Sequence, residues 1–337
     1  MNRILQDSDA LRPRIQDDIS VKELLTFMKK IFLIISYLVY FYPVRLLLRL
    51  AGYERAIYLA ERLSIVFKIF AKKKIERMRK NYDTFFDNLF SDGNLDRIIS
   101  NFLKNSAKLI VNRLFFDRIS GEKCSAISDF QGIENIYEAL SLNKGAIIAF
   151  CHNGSHTLAL HCLGATTGKP VHAYTFHEID RASFLSNNFF SRKIIELHKM
   201  SSFSVLHQKG LKEFYRALKS NEIAAMAFDS QRGDRVIDVQ LGSCRVKIPE
   251  GIFRISLRTG APLIPFFSSY KTALQITVYI EEPIIVTDIQ KAADDFMKRF
   301  ETFLLEHPQD WGGWVRLRSG NDEKGPYFRL SKDKLLF

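Results

Sequence analysis

Two histidines four positions apart break an apolar run in A-I-I-A-F-C-H-N-G-S-H-T-L-A-L, residues 146–160. Three chemistries use such residues. His152 and His156, with His161 following, would share a metal ion if they lay on one continuous helix. Asn153-Gly154 puts the helix start after His152, and the segment holds no carboxylate and no H-E-x-x-H pattern, which argues against a metal. A nucleophilic hydrolase needs a framed serine or a thiol facing its base. Ser155 lacks the G-x-S-x-G frame of a nucleophile elbow. Cys151 is adjacent to His152, and extended neighbours point to opposite sides. The third chemistry asks for least: one imidazole as general base for a hydroxyl that attacks a thioester, an oxyanion donor, and a carboxylate to fix the tautomer. A histidine between a strand end and a helix N-terminus suits that role, and the helix amides are candidates for the oxyanion donor. A satisfied buried histidine has the same local sequence, so the residues alone leave both readings open.

The elements that must position these groups follow from the hydrophobic pattern. From about residue 143, short apolar runs alternate with helical repeats. Strands are expected at G-A-I-I-A-F-C, P-V-H-A-Y-T-F, E-I-A-A-M-A-F, P-L-I-P-F-F-S and L-Q-I-T-V-Y-I. A hairpin is expected where R-V-I-D-V-Q-L and C-R-V-K-I flank Gly242-Ser243. Helices are expected at S-H-T-L-A-L-H-C-L-G, N-F-F-S-R-K-I-I-E-L-H-K-M, Q-K-G-L-K-E-F-Y-R-A-L-K-S, P-E-G-I-F-R-I-S-L-R-T-G and the long stretch from Asp288 to His307. The alternation implies an α/β fold with a mixed, largely parallel sheet flanked by helices. Reactive groups in such sheets gather beyond the carboxyl ends of strands. His152 and Asp229 each follow a strand directly, so both point to the same sheet edge.

The first 118 residues read differently, as a helical region preceding an α/β catalytic domain of residues 119–337. Ile31–Tyr42 is a twelve-residue apolar run flanked by Lys29-Lys30 and, after Pro43, by Arg45 and Arg49. Pro43 is expected to end that helix. Its length fits a half-inserted or interfacial helix better than a span of about 20 residues. From Pro43 to Lys80 there are eleven Lys and Arg against three Glu, within a chain of net charge +12. A basic stretch beside an apolar helix fits an anionic membrane surface or an acidic protein partner. It fits nucleic acid less well, because no nucleic-acid motif is present. The 4 scattered cysteines form no C-x-x-C pair, which points to a reducing compartment without structural zinc.

Several segments, taken in order, resemble the late acyltransferases of lipid A biosynthesis, a branch of the lysophospholipid acyltransferase superfamily. N-K-G-A-I-I-A-F-C-H-N-G-S-H-T-L-A-L is similar to that family's strand followed by H-x-G-N-W-E. Residues 227–267 are similar to its strand, Asp-containing loop, hairpin, helix and T-G-A-P strand. H-P-Q-D-W-G-G-W-V-R-L-R, residues 307–318, resembles its closing segment, and K-K-K-I-E-R-M-R-K-N-Y-D-T-F-F its basic helix.

The resemblance implies transfer of an acyl group from an acyl-carrier-protein or CoA thioester to a hydroxyl of a membrane-associated acceptor, a lipid A-type or other lipid. It implies no cofactor. It implies a location at the cytoplasmic face of a bacterial inner membrane, peripheral or with a single N-terminal anchor. His152 carries over as general base; Asn153, Gly154 and Thr157 beside it, and Gly242, all in the matched segments, are expected as substrate-binding positions. The family's H-x4-D/E pattern has Thr157 in place of its acid. Another carboxylate must then serve His152. Glu178, Asp180 and Asp229 are candidates, and the strand-end position favours Asp229. The departure also leaves open an unusual substrate, such as an aminoacyl donor or a soluble natural product, and a non-catalytic binding protein.

Overall fold

The computed structural model describes residues 26, 28, 31, 32, 35, 36, 38–86, 89–119, 121–174, 203–206, 211–229, 235–315, 317 and 329–330. The expected helix at residues 188–200, Glu178 and Asp180 lie outside them.

Five helices come first: α1 (Arg45–Ala51), α2 (Tyr53–Phe70), α3 (Lys72–Phe86), α4 (Asp92–Phe115) and the short α5 (Gly121–Ile127). Then follow β1 (Ser128–Gln131), α6 (Glu134–Ser141), β2 (Ala146–Phe150), α7 (His156–Thr167), β3 (Val171–Tyr174) and β4 (Phe203–Leu206). The chain continues through α8 (Leu211–Lys219), β5 (Ile223–Ala227), β6 (Val236–Leu241), β7 (Cys244–Pro249) and α9 (Gly251–Thr259). It closes with β8 (Leu263–Tyr270), β9 (Ile276–Ile280), α10 (Ile289–Glu306) and β10 (Arg329–Leu330).

A seven-stranded sheet has the order β1-β9-β8-β2-β5-β3-β4. Only the β8–β9 pair is antiparallel. The fold is therefore the mixed, largely parallel α/β architecture expected from the alternation. β2 is apolar at every position because both faces of a central parallel strand are covered. Its alternate residues serve two cores. Ile147 and Ala149 pack with Phe253, Phe296 and Phe300 of α9 and α10. Ala146, Ile148 and Phe150 pack with Leu158, Leu160 and Ile136 of α7 and α6. The hairpin β6–β7 is antiparallel and joins β10 in a separate three-stranded sheet.

α4 ties the helical region to both cores. Leu95, Ile98, Ile99 and Leu103 enter the first, and Ala107, Val111, Leu114 and Phe115 enter the second. Its inward side also carries buried polar groups, Lys108 and Asn112. The pattern of the chain before it needs one correction. Pro43 does not end the preceding helix but sits in a π-helical turn, Tyr40–Val44, where Arg45 N–H reaches back to Tyr40 O. Proline, which has no N–H, is accommodated in that widened turn, and the chain runs on into α1.

α1 is inverted in polarity. Arg45 and Arg49 point inward to the Asp117 carboxylate and the Leu114 carbonyl. Leu46, Leu47 and Leu50 point outward, 59%, 65% and 76% exposed. Leu59, Leu63, Val66 and Ile69 of α2 are exposed as well. Among the described residues no helix is long and apolar enough to cross a membrane.

Candidate active site

The register of two parallel strands builds the site. β2 pairs with β5 so that Phe150 lies opposite Ala227. Two residues further on, the same register brings His152 opposite Asp229. There His152 Nδ1 lies 2.8 Å from Asp229 Oδ1, and the His152 backbone N–H donates to Asp229 Oδ2 at 2.9 Å. An ionised carboxylate only accepts hydrogen bonds, so Nδ1 carries the proton and Nε2 is the basic nitrogen of the neutral ring. The His152 side chain is 35% exposed, whereas Asp229 is fully buried.

Burial alone would push the Asp229 carboxyl up. The attraction of His152, its side-chain and backbone donors and the Trp311 indole outweigh that effect, and the carboxyl stays below its usual range. The indole N–H donates to Asp229 Oδ2 at 3.0 Å. Asp229 is thus held ionised by three N–H groups from two segments.

A strap formed by residues 307–314 supplies that indole and clamps the histidine turn. Gly312 N–H donates to His152 O at 2.8 Å, Gly154 N–H donates to Asp310 O at 2.7 Å, and Asn153 forms a β-bridge with Trp311. The Asp310 side chain is buried and accepts from Asn105 Nδ2 at 2.7 Å and Ser269 Oγ at 2.8 Å. Burial raises its pKa to about 7 despite those donors and the nearby Lys108.

The other expected site residues divide between scaffold and recess. Asn153 is buried, and its amide is oriented so that Nδ2 donates to Cys151 O at 3.1 Å and Oδ1 accepts from Ser268 N–H at 2.9 Å. Gly154 has φ +42°, and a Cβ there would lie 2.3 Å from Ser268 O. Thr157 is half-buried, and its Oγ1 has no hydrogen-bond partner among the described residues. Gly242 stands at the β6–β7 turn, where its N–H donates to Glu301 and a Cβ would lie 2.0 Å from Phe85 O. Those contacts tie it to α3 and α10, not to His152.

The helix amides considered as oxyanion donors are partly engaged: Asn153 N–H donates to Cys151 O, Gly154 N–H to Asp310 O and His156 N–H to Asn153 O. His156 is buried against Phe150, their ring centroids 5.6 Å apart. Burial first, then the charges of His152 and Arg113, hold its pKa well below the usual value, so it is a neutral packing group. The Cys151 thiol is buried, and burial pushes its pKa up, which leaves it inert as a nucleophile. Among the described residues no three His, Cys, Asp or Glu side chains are grouped so as to hold a metal ion.

Sequence reasoning did not assign Trp311, Asp310 or Asn105 to the site. The motif H-P-Q-D-W-G-G-W was visible, but only its return to the β2 edge shows what the indole does. A family model described as "Bacterial lipid A biosynthesis acyltransferase" matches residues 25–318. No curated protein matches the chain.

Proposed function

The chain belongs to the bacterial lipid A biosynthesis acyltransferase family, and on that premise we propose that it is an O-acyltransferase in which His152 and Asp229 form the catalytic dyad. It acts as an acyltransferase on a lipid-type acceptor. The observation that carries the dyad reading is the 2.8 Å contact between His152 Nδ1 and the buried Asp229 carboxylate. It supplies, from just beyond β5, the acid that Thr157 lacks.

In this mechanism Nε2 of His152 removes the proton from the acceptor hydroxyl as its oxygen attacks the thioester carbonyl. The tetrahedral intermediate then collapses and the C–S bond breaks. The departing sulfur takes the proton from the imidazolium, leaving ester and free thiol with His152 neutral again. Asp229 orients the ring and stabilises the imidazolium without taking its proton. The donor is a CoA or acyl-carrier-protein thioester; the basic stretch around Lys72-Lys73-Lys74 favours an acidic carrier protein. The outward leucines of α1 and the apolar outer side of α2 support attachment to the cytoplasmic face of the inner membrane by partial insertion.

Lipid profiling of cells with and without the protein, and of cells carrying His152→Ala, tests this reading. An acylated lipid that depends on the chain and disappears with His152→Ala is the expected result. A product formed equally by the variant, at equal protein level, would refute the dyad.

A further inference from the structure

Asn112 lies in a stretch of α4 that otherwise gives the core apolar side chains, Ala107, Val111, Leu114 and Phe115. It is 1% exposed. Burying an amide is costly unless its polar atoms are paired, and here both are. Nδ2 donates to Ser155 Oγ at 3.0 Å and to Tyr270 Oη at 3.1 Å, and Oδ1 accepts from Tyr53 Oη at 3.0 Å. One amide thus joins three elements: the residue before α7, the last residue of β8 and the first residue of α2. Two of its partners are held from elsewhere as well. The Tyr270 ring lies 3.8 Å from Lys108 Nζ, and the Tyr53 ring meets Phe115 edge-on with centroids 5.5 Å apart.

Ser155 is the informative partner. A serine just before a helix ordinarily turns its hydroxyl to accept from an amide two or three residues on. Ser155 precedes α7 and makes no such bond. Its fully buried hydroxyl is engaged by Asn112 instead. Ser155 is also three residues from His152, at the far end of the turn that carries the ring. The strap holds the near end of that turn by its backbone, through His152 O and Gly154 N–H. Asn112 holds the far end by a side chain.

We propose that Asn112 is a positioning residue for acyl transfer: it keeps the Ser155 hydroxyl from capping α7, and so fixes the turn that aims the His152 ring. Through Tyr53 it also ties that turn to Gly52, the joint between α1 and α2, where φ is +87°. The inference rests on the dyad reading, because Asn112 acts on the reaction only through His152. Released from Asn112, the Ser155 hydroxyl turns to the α7 amides and the peptide between it and His152 follows. A shift of the imidazole by about 1 Å is enough to cost roughly 10²-fold in rate.

Two measurements on the full chain test this. The ring resonances of His152, assigned by their loss in His152→Ala, report its geometry whether or not the protein turns over. Incorporation of labelled acetate into the His152-dependent lipid, per amount of folded protein in growing cells, reports the chemistry with the cell's own substrates. In Asn112→Leu the resonances should shift and incorporation should slow roughly tenfold or more. If Asn112→Leu does not fold, Ser155→Ala decides, because it removes the same anchor with the loss of one oxygen. The double variant should be no slower than the slower single one, since both changes break one contact; losses that multiply show independent effects and overturn the proposal. Tyr53→Phe should shift the same resonances by less, and an unchanged spectrum overturns the tie to α2. Unchanged resonances in Asn112→Leu and Ser155→Ala, or an unchanged rate in both, overturn the positioning role. Failure of the dyad gives a different result: His152→Ala then makes product like the native chain.

Discussion

Replacing Asp229 by Asn changes one atom and should reverse the protonation of His152. Asp229 Oδ2 accepts two N–H groups, from the His152 backbone at 2.9 Å and from the Trp311 indole at 3.0 Å, while Oδ1 faces Nδ1. An Asn amide has one acceptor oxygen and one donor nitrogen. With its oxygen toward the pair of N–H groups, its NH2 faces Nδ1, which must then become the acceptor. The proton moves to Nε2, and the basic lone pair is lost from the nitrogen that meets substrate. The opposite orientation keeps the tautomer but sets NH2 against two fixed donors, leaving buried groups unsatisfied at about 1–3 kcal/mol each. The first orientation is therefore favoured. Turnover should fall roughly 10³–10⁴-fold with little change in thermal midpoint, by analogy with the same exchange in a serine-protease triad. Nitrogen-15 spectra of the imidazole read the tautomer, and an acyl-transfer assay reads the rate. Turnover within tenfold of the native chain, or an unchanged proton on Nδ1, would refute the reasoning.

Trp311→Phe removes one donor to a buried carboxylate and should lower stability by about 1.5–3 kcal/mol; the depressed Asp229 pKa should rise, so denaturation on acidification should begin at a higher pH, as urea midpoints across pH 3–6 will show. Gly154→Ala places a Cβ 2.3 Å from Ser268 O at a φ of +42° and should cost more than about 1 kcal/mol, while Gly168→Ala, with open space around its Cβ, serves as a control carrying backbone strain alone. The Asp310 pKa is raised to about 7, so its contribution to stability is present below about pH 4 and lost as pH rises through 7. Relative to the native chain, Asp310→Asn should therefore gain up to roughly 4 kcal/mol between pH 4 and pH 8; equal pH dependence in the two proteins would contradict this.

The central strands were legible because their apolar runs are continuous and bounded by Gly, Pro or Asn. His152 and Asp229 were legible because both stand just beyond such runs, and parallel register then places them together. β1, whose residues are Ser-Asp-Phe-Gln, carries little apolar signal because it pairs on one side only, at the sheet edge. The short helices α5 and α6 flank it and were missed with it. β4 lies between two expected helices, in a stretch too short for its alternation to stand out. The strap residues are a different kind of omission. Asp310 and Trp311 are about 160 positions from His152, and periodicity carries no information about which loop a closing segment meets. Lys108 read as an ordinary helix charge, since only the packed fold shows that it is buried against the Tyr270 ring.

α4 has a mechanical consequence. Its Leu114 carbonyl receives the arginines of α1, its Asn112 holds Ser155, and its Asn105 holds the strap through Asp310. These attachments lie on one helix rising about 1.5 Å per residue, so the first and last are only roughly 14 Å apart along its axis. The helix is a ruler. On the proposed attachment of α1 to lipid, helical rise fixes how far the His152 edge stands from the outward leucines. On that reading, an acceptor would be selected partly by how far its hydroxyl stands from its own tails.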